Sequence, residues 1–509
     1  MSMERTGESA PRQRVPNRQL AALIAEAGFS HAGLARRVDQ LGLEHGLDLR
    51  YDKTSVTRWL RGQQPRGATP ALIAEVFSRR LGRRLTAQDV GLDACAPVYA
   101  GLEFAATPVE AVDIVSGLWR KDVGDPQELR RIAFTPAGLV VPSRDWLIGQ
   151  PDEQVSHGTR VTARPEEPQP SGRRIPQQGR GPGVRPRSVA GLRGARPEPA
   201  QNAREGSGHR VSGGDIAALR SVGELFQALD RAHGGGHARQ ALARYLEHEA
   251  EPLLRGVYGE QVGRRLFGAV AELTRLAGWT CFDIAAHGLA QRYYVQALRL
   301  SQVAGDRAYG GHVLVTMSQQ AVYLGHGREA VQLARVAQQG LGAPAAPLVE
   351  AQLYAAEARA HAVVGDGAAC ASALSRAENA WTAAQEAGAE PPAWARHFDE
   401  ARLAEEFAHC HRDLRQHRHA AEQAERALRL GDRRHARSRV MCQVVLATAL
   451  LGLGEMEQAC ALAAEAAATA SQLRSTRAHE YLRHFERCLE PHQGTSAARG
   501  YRERVMALG

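Results

Sequence analysis

Of the sixty-four basic residues in this 509-residue chain only Lys53 and Lys121 are lysines. With abundant alanine and glycine, that imbalance reads as the coding bias of a GC-rich genome, so arginine richness alone is no sign of design. Cysteine is also sparse. The seven cysteines (Cys95, Cys281, Cys370, Cys410, Cys442, Cys460 and Cys488) are odd in number, widely spaced and form no C-x-x-C pair, which points to free thiols in a reducing compartment rather than a disulfide framework. There is no G-x-x-x-x-G-K-[ST] phosphate cradle and no G-x-S-x-G nucleophile elbow to partner the HGGGHA stretch at 233–238, which reads as an interhelix turn. No apolar run approaches the ~18 residues of a membrane span, and the N-terminus has no apolar leader. These absences argue against an enzyme and for a cytoplasmic protein with no cofactor and no membrane partner.

What is present is a mixed-charge chain with a formal net charge of +9. The positive excess sits in residues 1–94 and 151–214, where an anionic polymer could be met. Residues 1–16 read as a disordered arm. Residues 17–94 then show short helical patterns: Leu20, Leu23 and Ile24 up to a stop at Gly28; Ser30 as N-cap before Leu34, Ala35 and Val38; Val56, Trp59 and Leu60 up to Gly62; and Thr69-Pro70 opening a helix with Leu72, Ile73, Val76 and Leu81. A further short helix is expected after Thr86. In the third of these helices the apolar stripe leaves Lys53, Thr54, Ser55, Thr57, Arg58 and Arg61 for a partner. Arg can fork onto guanine, while Lys, Ser and Thr suit phosphates or base edges. Arg36 and Arg37 on the preceding helix are candidate backbone clamps.

Residues 95–150 read as a small extension packed on this domain, with a helix over 108–121, a second near Arg130 to Ala133 and a strand at Leu139 to Pro142. Residues 151–214 are built from Pro, Gly, Arg, Gln and Glu, too polar to offset their ordering entropy, and read as a disordered linker between the two folded parts.

From 215 to 509 the pattern is helical and repetitive. Ala285, Ala290 and Ala297 align with Gly325, Ala330 and Ala337, with Gly365, Cys370 and Ala377, with Arg415, Ala420 and Ala427, and with Gly454, Ala459 and Ala466. Small residues at fixed spacing let antiparallel helices approach closely, and a period near 40 residues predicts an α-solenoid of helical hairpins. Its inner face is the expected binding surface for a peptide or protein ligand, with Tyr293, Tyr294, Gln320, Tyr323 and Tyr354 as candidates. His409, Cys410, His411, His417 and His419 have metal-ligand chemistry but face different ways on a helix-turn-helix, so no metal is expected. Glu405 and Glu406 read as a solvated charged face.

The phrase SVTRWLRGQQPRGATPALIAEVFSRRLG resembles the repressor-type (lambda-Cro-like) helix-turn-helix domain, with one departure: GLEHGLDLRYDK replaces the usual short turn, predicting an extended second helix or a small wing. YLGHGREAVQLARVAQQ is similar to a tetratricopeptide (TPR) repeat. TSVTRWLRG, TPVEAVDIVSGLWRKDVG, HGLAQRYYVQALRLSQVAGDRAYGGHVLVTMSQQAVYLGHGREAV and EPPAWARHFDEARLAEEFAHCHRDL together resemble a group of actinomycete regulators, the negative regulators of streptomycete differentiation. That resemblance implies a transcriptional regulator that restrains sporulation and antibiotic production. The residues themselves predict an all-α protein with double-stranded DNA as partner, so a nucleoid association, with a homodimer as one candidate assembly. The rival expectation is a TPR-like adaptor whose helix-turn-helix has lost DNA binding.

Overall fold

The computed structural model describes residues 16–44, 49–65, 69–83, 85–92, 101–124, 132–158, 209–342, 346–388 and 390–508. Among these residues the fold is all-α, with two isolated β-bridges as the only extended pairing. The expected N-terminal arm, the core of the linker and the first part of the helix anticipated near Arg130 lie outside the described residues.

Helices α1 (Arg18–Ala27), α2 (His31–Glu44), α3 (Lys53–Leu60) and α4 (Thr69–Leu81) share one small core built on Leu20, Leu34, Val56, Trp59, Leu72 and Phe77. Local chemistry sets their ends. The Asn17 side chain accepts from Leu20 N and donates to the carbonyls of Val90 and Gly91, so one amide caps α1 and ties down the end of the domain. After Thr86 there is a single turn, held by the reciprocal bonds of Thr86 and Asp89, instead of the expected helix. Of the long connection between α2 and α3, the first three residues extend α2 to Glu44, residues 45–48 lie outside the described residues, and 49–52 return without helix. Asp39 accepts from Tyr51 N, the Tyr51 ring meets Trp59 edge-on at 5.0 Å, and its hydroxyl bonds Thr69 Oγ1, so the returning chain is pinned to three helices.

The remaining described chain forms a second body, and the expected extension belongs to it. Helices α5 (Pro108–Gly124) and α6 (Ala137–Ile148) pack on the solenoid. The stretch expected as a strand, Leu139 to Pro142, is the second turn of α6, because Leu139, Pro142 and Trp146 recur at helical spacing and are buried together, while Val140 and Val141 face solvent. Trp146 fills the space left by Gly310 and Gly340, where a Cβ would collide with its ring.

The described flanks of the expected linker, 151–158 and 209–214, both pack on this body. His157 pairs through both backbone groups with Tyr258, while Val257 donates to His209 O and accepts from Val211 N. Residues 159–208 therefore leave and re-enter the same body at one point. The connection between the two bodies is the eight-residue stretch 93–100, which even fully extended spans about 30 Å.

The solenoid itself begins with α7 (Gly213–His233), α8 (Gly235–Tyr245), a π-helical turn at Leu246–Ala250 and α9 (Glu251–Leu254). Five antiparallel hairpins follow: α10/α11 (Glu260–Asp283, His287–Ala304), α12/α13 (Arg307–Tyr323, Gly327–Gly340), α14/α15 (Pro347–Val364, Gly367–Ala387), α16/α17 (Glu400–Asp413, His417–Leu430) and α18/α19 (Ala436–Leu453, Met456–Ala470). The five aligned turn residues all have left-handed backbone: Ala285 (φ 63°), Gly325 (82°), Gly365 (85°), Arg415 (58°) and Gly454 (86°). Ala285 and Arg415 are the only described non-glycine residues with positive φ, so the repeat holds its turn geometry even where a side chain opposes it. The small residues that follow are buried at every hairpin, where the paired helices meet.

Helices α20 (Thr476–Leu489) and α21 (Ser496–Met506) close the end with Leu482, Phe485 and Tyr501 inward. The solenoid does not stay open. Arg474 N donates to His233 O and Gly236 N donates to Arg474 O, joining the start of the solenoid to its last repeats. Bulkier residues at 234–236 would meet the Arg474 backbone or Thr280 within 3 Å, which explains the glycine triplet read as a turn. Beside it Arg437 makes paired bonds to Asp230 and reaches Asp283, whose carboxylate also accepts from Gly235 N and Ser475 Oγ. Helix α18 has the length and mean hydropathy of a membrane span, but 72% of it is buried in this core.

Candidate nucleic-acid interface and central cavity

Helix α3 is amphipathic over only eight residues. Ser55, Val56 and Trp59 face the core, and Lys53, Thr54, Arg58 and Arg61 are exposed, with Thr57 half-buried. The helix start is occupied by Asp52, whose carboxylate accepts from Ser55 N and Ser55 Oγ and is held below its ordinary range by those bonds. Ser55 is thus a capping residue rather than a reader, a correction to its expected role. Arg58 Nη2 donates to Ser55 Oγ, and Thr57 Oγ1 to Lys53 O. On α2, Arg36 and Arg37 are exposed, and Arg37 lies over the Phe29 ring at 5.7 Å. Cations of two successive helices are thereby exposed on a domain whose apolar positions are spent on its core. That arrangement suits a phosphate-lined groove.

The solenoid's candidate residues separate sharply. Tyr293 and Tyr294 are fully buried and unavailable to a partner. Tyr294 packs its ring on Gly278 of α10. Tyr293 lies on the side of α11 that the extension covers: Gln291 exchanges two hydrogen bonds with Thr135, Gln296 Nε2 donates to Gly101 and Glu103 carbonyls, Arg299 pairs with Asp152, and Tyr293 bonds the Asp122 carboxylate that also holds Arg239. Gln320 is buried as well, donating to His287 O. Tyr354 lies half-buried under Arg376 at 4.6 Å, and only Tyr323 reaches the central space.

That space is a cavity of about 640 Å³ lined by the first helices of the hairpins and by α20. A smaller lobe of about 150 Å³ shares Trp279, Gln319 and Arg437 with it and carries Arg231, Arg275, His312 and His397. The walls are charged, which corrects the reading of this stretch as a solvated face. Glu405 and Glu406 are buried and paired with Arg402, and Glu406 also with Arg359. His409 is buried too, bonded to Glu405 O and Tyr481 Oη. His411 bonds Gln416, and among the described residues no three His, Cys, Asp or Glu side chains converge as a metal site. Burial pushes His287 down to about 4 and His397 to about 3, with His312 and His409 also lowered, so these imidazoles are neutral at pH 7.

Sequence reasoning missed Trp279, His287, Arg359, Arg402, Arg437 and Arg477, all lining the cavity. The signal was present in α16, where Arg402, Glu405, Glu406, His409, Arg412 and Asp413 form one stripe at helical spacing. A charged stripe on a helix of a closing solenoid faces inward when the ring supplies partners.

With the geometry described, the class is an all-α protein with a small N-terminal helical domain joined to a closed solenoid of helical hairpins. A family model described as the SP15 N-terminal domain matches residues 20–93, which cover α1 to α4 and the turn behind them. No curated protein matches the chain.

Proposed function

We propose that this chain is a DNA-binding transcriptional regulator, a repressor of morphological differentiation and antibiotic production acting at the nucleoid, with the solenoid as its sensing and assembly domain. The observation that carries the reading is the exposed face of α3, where Lys53, Thr54, Arg58 and Arg61 stand together beside Arg36 and Arg37 of α2. The sign of the regulation and the target processes come from the resemblance of the sequence to the streptomycete regulators. In this reading a ligand changes operator occupancy only if the solenoid binds it with different affinity when the reading head is free and when it is engaged. The short connection at 93–100 favours a direct effect on the position or pairing of the reading head, including through homodimers.

The experiment is to crosslink the protein to DNA in its own cell, map the bound fragments, and measure binding of the purified chain to them. Arg58→Ala with Arg61→Ala should remove sequence selectivity while the circular dichroism spectrum is retained, and log affinity of the unmodified chain should fall linearly with log salt. Unchanged affinity of the double variant would overturn the reading. The eight residues between α2 and α3 favour one rival, a protein-binding adaptor, and no retention on DNA at low salt would support it.

A further inference from the structure

Among the described residues the central cavity holds one buried guanidinium that makes no salt bridge. Seven arginines and four carboxylates line the space. Among the buried or half-buried arginines, Arg402 is on Glu405 and Glu406, Arg359 on Glu406, Arg412 on Asp413, and Arg437 on Asp230 and Asp283. Arg483 and Arg487 are exposed at its edge. Arg477 differs from all of these. It is only 9% exposed, and its Nε and Nη1 are buried without a hydrogen-bond partner. Its faces are occupied by rings: the guanidinium carbon lies 4.1 Å from the Phe282 centroid, 5.1 Å from Trp279 and 5.4 Å from Tyr323. Stacking fixes the plane of the group and leaves its N–H edge free.

Two further polar atoms around it are also buried without partners, the Tyr323 hydroxyl and His287 Nδ1. A neutral imidazole can donate from that nitrogen, so the cluster offers a cation and several donors, with Asp283 and Glu406 acting on Arg477 only through space and no carboxylate bonded to it. Glu480 also lines the cavity, but the exposed Arg483 and Arg487 keep the balance positive. A buried cation with no directly bonded counter-ion is costly to fold, and proteins keep such groups where a ligand completes them. The volume suits a small molecule and not a folded partner.

We propose that the cavity binds a small organic anion whose carboxylate or phosphate docks on Arg477, Tyr323 and His287, with its apolar part along Val322, Val363 and Met441. This extends the sensor reading above, and its test uses no DNA, so a failure of DNA binding and a failure of this site are separable. The probes are 2-naphthoate and its uncharged analogue 2-naphthamide, titrated into the full-length chain by calorimetry, with inorganic phosphate and pyrophosphate as competitors. Naphthoate should bind saturably and at least about tenfold more tightly than naphthamide, as loss of a charge-assisted contact implies. Displacement by phosphate or pyrophosphate assigns the site to phosphate esters, and its absence assigns it to carboxylates.

Arg477→Gln should lose at least about tenfold in naphthoate affinity while its melting temperature stays level or rises, since a buried unpaired charge is removed. A structural role would instead lower the melting temperature and leave the preference for naphthoate over naphthamide intact. Should that variant fail to fold, Tyr323→Phe removes one donor and should weaken naphthoate about threefold or more. Equal affinity for the two probes, unchanged affinity of both variants, or no saturable binding of naphthoate, phosphate and pyrophosphate at millimolar concentration overturns the proposal.

Discussion

The two bodies use arginine in opposite ways. In α2 and α3 Arg36, Arg37, Arg58 and Arg61 are exposed, whereas in the solenoid Arg239, Arg299 and Arg437 are buried against carboxylates brought from distant parts of the chain. The difference teaches that one residue type, supplied in bulk by composition, is sorted by topology. A small four-helix domain has no interior large enough to neutralise a guanidinium. A closed ring of hairpins surrounds its interior with partners, and there the charge becomes part of the framework.

The largest effect expected from breaking this contrast is at Arg437. Arg437→Ala leaves Asp230 and Asp283 buried without their cation, and the cost should be about 3–5 kcal/mol, read as a large fall in the melting temperature. Retained stability would mean that the closure is held by packing alone. Acidification should come next. His287 and His397, pushed down to about 4 and 3, and His312 and His409, also lowered, each give stability that is fully present above their unfolded value of about 6.5. As pH falls below that value the unfolded chain takes up protons that the folded chain refuses. Each histidine can then withdraw up to about 1.4 kcal/mol per pH unit. Hydrogen-exchange protection factors, each referred to the intrinsic rate at its own pH, should therefore fall from pH 7.5 to 5.5 in α10 to α20 and stay nearly constant in α1 to α4, whose described core contains no histidine.

A smaller change in stability follows replacement of residues 160–207 by a short Gly/Ser loop. Both ends of that segment are already fixed on Val257 and Tyr258, so the melting temperature should be unchanged or slightly higher because a shorter loop costs less to close. A large loss would show that the segment packs on the body. The smallest effect on stability belongs to Arg58→Ala with Arg61→Ala. These exposed side chains should leave the unfolding curve unchanged even as DNA selectivity disappears.

Much of this architecture is legible in the sequence where the controlling interactions are local. The spacing of Ala285, Ala290 and Ala297 and its four counterparts marks five turns and the close contacts behind them, because a left-handed turn and two small residues are needed each time the chain doubles back. Gly28, Ser30 and Gly62 mark helix ends for the same reason. What escapes is whatever depends on partners far along the chain. Asp230 and Arg437 are 207 residues apart, and Thr135 and Gln291 are 156 apart. No pattern within a helix says that they meet. The apolar run at Leu139 to Pro142 is too short to tell strand from helix until Trp146 is seen to share its buried face. Tyr293 looks like a binding residue only while the covering role of Gly101 to Asp152 is unknown, and Tyr294 only while its packing on Gly278 is. The α3 face is legible from its periodicity, apart from Ser55, which the Asp52 cap turns inward.

Closure at Gly234 to Gly236 has a mechanical consequence. An open superhelix is a spring, since small rotations at every hairpin add up to a graded change of pitch. Joining its ends forbids that sum, because a change at one hairpin must be cancelled at another or break the junction where Arg474 meets His233 and Gly236. The ring therefore deforms as a whole or opens at that junction, with no graded intermediate pitch between.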